Sequence, residues 1–246
     1  MNNNRITIAA LILGVAMIIC FFLVAGALKF RTSSGETIVV TGLAEKDFNS
    51  DLIVWTGFYA RKSLDLRSAY AQLKADENTI RSYLAGKGVA ANEMIFSSVE
   101  LNKEFEYRQD INGRSLGQEF TGYNLRQTVK VESSNVDKIE KISREVTELI
   151  ESGVEFNSQA PAYYNTKLTE VKMQLLAEAS KDARQRAETI AENAGSKLGR
   201  LKKANTGVFQ ITGKNSNEDY SYGGTFNTSS RNKTGSITIR MEFAVN

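Results

Sequence analysis

The chain's 246 residues include 31 basic and 28 acidic side chains, one cysteine and no histidine. Setting aside Arg5, Lys29 and Arg31, which flank the first apolar run, leaves 28 basic residues against 28 acidic ones, a neutral balance without the concentrated basic face that nucleic-acid phosphates require. The missing histidines remove the commonest general base, the histidine-centred nucleophile triads and imidazole metal sites.

Ile6 to Leu28 carries no charge over 23 residues. As a helix it would be about 34 Å long, enough to cross a hydrocarbon core of about 30 Å. The expected organisation is therefore a membrane anchor over residues 1–31 and a domain over 36–246. A cleaved signal peptide is the alternative, with Ala25-Gly26-Ala27 as a small-x-small site, but the apolar run exceeds the usual length of a signal core and favours an uncleaved anchor. Cys20 lies inside this run, so no disulfide is expected in the domain.

Ile38 to Glu45 and Leu52 to Arg61 read as strands. The second has apolar residues on both sides, Leu52, Val54, Phe58 and Ala60 against Ile53, Trp55 and Tyr59, and is expected to be covered on both faces. Asp65 caps a helix with Leu66, Ala69, Tyr70, Leu73, Ile80 and Leu84 on one stripe, closed by Gly86 and Gly88. Asn92 to Tyr107 alternates as one long strand, with Ile95, Val99, Leu101, Phe105 and Tyr107 on the apolar face. A turn-rich connection with Asn112-Gly113 leads to an antiparallel return strand, Phe120 to Val131.

Ser134 and Asp137 resemble a capping box opening a helix that buries Val136, Ile139, Ile142, Val146 and Leu149 and stops at Gly153. Val154 to Tyr164 reads as a strand around the only proline, Pro161, which places that part at an edge or strand end. Leu168 to Leu198 is the longest periodic segment. Leu168, Val171, Leu175, Ala179, Ala183, Ala187, Ile190, Ala194 and Leu198 form one stripe whose middle is alanine, which lets a helix approach a sheet closely. Asn165 or Thr166 caps it and Gly195 or Gly199 ends it. Arg200 to Ile211 and Ser236 to Val245 read as strands. Between them, residues 212–235 form a polar stretch without periodicity, read as a mobile loop. Its tyrosines and Phe226 suggest a contact loop as the alternative, and Asn227 and Asn232 have glycosylation spacing.

The order of elements implies α+β: largely antiparallel sheet built from repeated strand-helix-strand units, one long alanine-rich helix packed on it, and an N-terminal transmembrane helix. The alanines at 179, 183, 187, 191 and 194 with Gly195, Leu198 and Gly199 resemble the pattern that closes the SIMPL (DUF541) domain, as do the earlier Val39-Val40-Thr41-Gly42, the Gly88-Val89 turn and the strand around Tyr123. This resemblance spans roughly residues 36 to 246.

The resemblance implies a bacterial envelope protein: inner membrane, single-pass, with the C-terminal domain in the periplasm, or cleaved and periplasmic as the alternative. It further implies a non-enzymatic protein that self-assembles into a ring-like or channel-like homo-oligomer, with a link to envelope or oxidative-stress defence. The expected partners are membrane lipid, through the N-terminal helix, and further copies of the chain; the neutral charge balance argues against nucleic acid, and no small-molecule substrate is identified. The alternative is an envelope hydrolase or redox enzyme lacking a recognisable motif. No catalytic G-x-S-x-G or S-x-x-K run is expected, and no G-x-G-x-x-G or Walker run is present. Glu100, Glu104 and Glu106 form the best acidic cluster, but a strand spaces them without the turned loop that calcium prefers, so they read as a solvated face. No catalytic, cofactor-binding or metal-binding residue is therefore assigned, and no cofactor is expected.

Overall fold

The computed structural model describes residues 13–25, 36–109, 111 and 115–246. Of the apolar run Ile6 to Leu28, residues 13–25 are helical and the rest lies outside the described residues. Among the described residues no helix is long and apolar enough to cross a membrane.

Two helix-covered antiparallel sheets make up the domain. In the first, β1 (Thr37–Asn49) pairs with β10 (Asn232–Val245), whose other side pairs with β8 (Leu198–Thr206) and β9 (Gln210–Gly213). The long helix α3 (Leu168–Asn193) covers one face of this sheet. In the second, β5 (Ser115–Ser133) and β2 (Leu52–Ser63) are central, with β3 (Met94–Phe96) and β4 (Glu100–Gln109) beside β5, and β6 (Phe156–Ser158) and β7 (Ala162–Tyr164) beside β2. Helix α1 (Leu66–Gly86), helix α2 (Val136–Glu145) and the 3-10 turn Val146–Ser152 pack on it. Fold class is thus α+β with antiparallel sheets, but the sheet is two sheets: only Ser50 and Asp51 separate β1 from β2, and the two strands go to different partners.

The alanine stripe explains the first sheet. Ala179, Ala183 and Ala187 are fully buried against Val40, Ile237, Ile239, Met241 and Phe243. Opposite them sits Gly42, where an added Cβ would lie 2.6 Å from Ala183 N and 2.7 Å from Ala183 Cβ and would also strike the Ala179 carbonyl. The helix backbone rests on the strand backbone, a spacing that only small residues on both sides permit. The helix runs Leu168–Asn193 and Gly195, in the left-handed region at φ 73°, ends it, so Leu198 and Gly199 belong to β8. Lys167 occupies the cap without a side-chain bond. Asn165 Oδ1 instead accepts from Lys167 N at 2.9 Å, and Thr166 is tied to Asp51 at 2.7 Å.

Large side chains fill the second core: Ile53, Trp55, Tyr59, Leu73, Ile80, Leu84, Leu125 and Val129. Its strand β2 is fully covered on one face only, because Ile53, Trp55, Gly57 and Tyr59 are buried while the intervening residues stay half-buried. Phe58 on the second face is shielded by the Arg126 guanidinium, 3.6 Å from its ring centroid. Trp55 Nε1 donates to Ser158 Oγ at 3.0 Å and Tyr59 Oη to Gln127 Oε1 at 2.7 Å, so both buried polar tips are satisfied.

Asp65 caps α1 as expected, accepting from Ser68 N at 2.7 Å. The cap of α2 is Asn135, not Ser134, with its Oδ1 accepting from Lys138 N at 3.1 Å. The expected strand Asn92 to Tyr107 is interrupted at Ser97. There Thr128 N donates to Ser97 Oγ and Gln127 Nε2 to the Ser97 carbonyl, which breaks the alternation, so that Met94 rather than Ile95 points into the core. Val154 to Tyr164 likewise divides into β6 and β7 on either side of Pro161, and Arg200 to Ile211 into β8 and β9.

Candidate functional site

The polar stretch after β9 has no repetitive structure, yet three side chains organise it. The Gln210 amide donates to Ser221 O at 2.9 Å and accepts from Thr225 N at 2.7 Å. Asn227 donates to Glu218 and accepts from Ser230 N at 2.8 Å. Lys233, only 2% exposed, donates its ammonium to the Asn227 carbonyl at 2.5 Å and to Asn227 Oδ1 at 3.3 Å. Burial pushes the Lys233 amine below the usual lysine range, partly offset by the Glu218 carboxylate. Asn227 is buried and its amide engaged, which removes it as a glycan acceptor, and Asn232 opens β10. Tyr220 and Tyr222 project outward at 60% and 106% exposure.

Two spacings with catalytic associations, expected to be absent, do occur in the sequence. Gly113-Arg114-Ser115-Leu116-Gly117 has the G-x-S-x-G spacing, but Ser115 opens the second strand of a hairpin, whereas a nucleophile elbow needs a strand-to-helix turn. Ser230-Arg231-Asn232-Lys233 has the Ser-x-x-Lys spacing, but the lysine is bound to Asn227 and not to the serine hydroxyl. Lys233 is therefore a clamp for its loop.

The acidic residues of β4 are dispersed. Glu104 is bound by Lys62 Nζ at 2.5 Å and by Asn124 Nδ2 at 2.6 Å, and the Lys62 bond holds its carboxyl below the usual range. Glu100 stands opposite Arg126, and Glu106 opposite Glu119, which is paired with Arg108. Among the described residues no group of three or more acidic or cysteine side chains is placed to hold a metal ion.

What stands out is the state of the strand edges. An open edge presents a row of unpaired backbone donors and acceptors. Part of the β1 edge is held by α3: Leu43 N donates to Asp182 Oδ2 at 2.9 Å, and Lys46 Nζ to Gln174 at 2.5 Å. That backbone N–H and the Arg186 guanidinium hold the Asp182 carboxyl below its ordinary value. The β7 edge is taken by the loop, with Tyr163 N donating to Thr228 O at 2.7 Å, and the β9 edge by the Ile211–Phe226 bridge. β3 and β6 are three residues each. Among the described residues the long strands bordered by another strand on one side alone are β1, β4 and β8, and β1 carries a helix side chain on that edge, Asp182 at Leu43 N. On β8, Arg200 to Thr206 are all exposed, and on β4 every residue but Glu104 is exposed.

The β4–β5 hairpin also carries exposed apolar residues on its helix-side face. Leu101 and Leu125 line a groove with Leu66, Tyr70 and Val99. Phe105, 51% exposed, contacts Phe120 edge-on at 5.7 Å, and Phe120 contacts Tyr123 at 5.1 Å. Tyr107 is 71% exposed. The opposite face of β4 carries Glu100, Asn102, Glu104 and Glu106.

Two antiparallel sheets, each with its own helical cover and joined by two short links, residues 50–51 and 165–167, define the class of protein: an α+β domain with two cores. Its family follows from comparison, because the family described as "SIMPL: Protein of unknown function (DUF541)" matches residues 38–243, and the chain belongs to that family. A comparison with curated proteins returned no match.

Proposed function

We propose that the protein is a non-enzymatic, membrane-tethered component of the bacterial envelope that self-assembles into a higher oligomer, ring-like or channel-like, with a role in envelope or oxidative-stress defence. The observation that carries this reading is the pair of long, exposed strand edges on β4 and β8; of the other strand edges among the described residues, β1 is held in part by α3 and the rest are short or closed by a loop. Unpaired edges supply main-chain hydrogen bonds for association between chains. The uncharged run Ile6 to Leu28 supplies the tether and concentrates copies on one membrane.

The mass in solution of the full-length chain, extracted in mild detergent, tests the reading beside a chain beginning at Thr32. A discrete mass of several chains in both is the expected result. Single chains in both would refute self-assembly.

A further inference from the structure

We infer that the two open edges are each other's partners: β8 of one copy adds to the outer edge of β4 in the next copy, making one sheet that runs from chain to chain. This rests on the self-assembly reading above and specifies its contact surface. Three observations single out a second copy of this chain as the occupant.

Length matches first, with β8 spanning 9 residues and β4 spanning 10. Charge is the second. Leu198–Thr206 holds three basic and no acidic side chains, whereas the face of β4 turned away from α1 carries Glu100, Glu104 and Glu106 against one cation, Arg108, which is paired with Glu119. Lys203 stands opposite Glu242 in the sheet register, on the face that α3 leaves open, so the strand direction that aligns the two helix-covered faces brings it to the same side as these glutamates. Third, the helix-covered sides match in polarity. Leu101, Phe105 and Tyr107 are exposed on β4, and β8 presents the exposed Leu201 opposite Phe243 and Ala204 opposite Met241. In that strand direction the apolar residues of both strands share one side of the joined sheet, with Lys103 among them on β4, and acid meets base on the other.

The contact uses two different surfaces of the chain, so it is heterologous. Repetition either closes into a ring or continues as a filament, and every copy in a closed ring has both edges filled.

Charge exchange in the full-length protein tests the pairing. Glu104 is left in place because Lys62 and Asn124 use it. Glu100→Lys with Glu106→Lys inverts β4, and Arg200→Glu with Lys203→Glu inverts β8. Either pair alone is expected to reduce the detergent-extracted assembly to single chains by light scattering, and all four together are expected to restore the wild-type mass. Thermal unfolding by circular dichroism identifies any variant that has lost its fold. For such a variant the deciding measurement is bismaleimide cross-linking of Asn102→Cys with Asn205→Cys in a Cys20→Ser background, where a ladder of multimers is expected from the double variant and not from either single one. Wild-type assemblies indifferent to both exchanges, or a double variant without a ladder, overturn the pairing while leaving self-assembly standing. A wild-type chain that is itself monomeric overturns self-assembly instead.

Discussion

The two halves of the domain solve one packing problem with side chains of opposite size. Around α3, alanines 179, 183 and 187 meet Gly42 and bring helix backbone onto strand backbone. Around α1 and α2, Trp55, Tyr59, Ile80 and Leu84 hold the layers apart and fill the gap with bulk. A close seam tolerates no added atom, whereas a core of large side chains suffers most when atoms are removed. The halves should therefore fail under opposite kinds of substitution.

Trp55→Ala is expected to cost most, about 3–5 kcal/mol, because it empties a fully buried site and strands the Ser158 hydroxyl acceptor. Urea unfolding followed by circular dichroism measures the loss. Gly42→Ala should cost about 2–3 kcal/mol by overpacking, since the new methyl meets helix backbone that cannot turn aside. Gly57→Ala is the matched control in the other half. Its methyl would meet the Phe156 ring, a side chain that can swing, and the cost should be smaller than at Gly42. Trp55 is the only tryptophan and lies in the second core, so its fluorescence reports that half. In Gly42→Ala the circular-dichroism midpoint should fall further than the fluorescence midpoint. Equal shifts would show that the halves unfold as one unit.

Asp76→Ala should cost about 1–2 kcal/mol, because the Arg61 guanidinium loses bonds at 2.5 and 2.8 Å and retains only the Gly153 carbonyl at 2.7 Å. The smallest effect is pH-dependent. Asp182 is held below its ordinary value in the folded chain, so its contribution is complete above the unfolded carboxylate value of about 4 and is lost as pH falls through the folded one. Asp182→Asn should flatten the stability curve between about pH 4 and pH 2 by less than about 1 kcal/mol, given its partial exposure.

Much of the fold is legible in the sequence where the determinants are local. The Asp65 cap, the stripe of α1, the alanine face of α3 and the hairpin between β4 and β5 all follow from periodicity and turn residues. Where distant residues decide, sequence fails. Ser97 breaks a strand because Gln127 and Thr128, 30 residues on, supply bonds there. β1 and β2 part company because their partners, β10 and β5, lie far along the chain in different layers. The candidate site is hidden for the same reason: whether a strand is an edge depends on what the rest of the chain leaves beside it. The Lys233 clamp is equally illegible, since a lysine opening a polar strand reads as solvated until Asn227 folds over it.

Hydrogen exchange at the two open edges tests assembly through β4 and β8 most directly. In the assembled full-length protein, amides of Glu100–Gln109 and Leu198–Thr206 should exchange slowly, and inverting the charges of either strand should release both segments together. Fast exchange of the outward-facing amides in the wild-type assembly, unchanged in the variants, would contradict it.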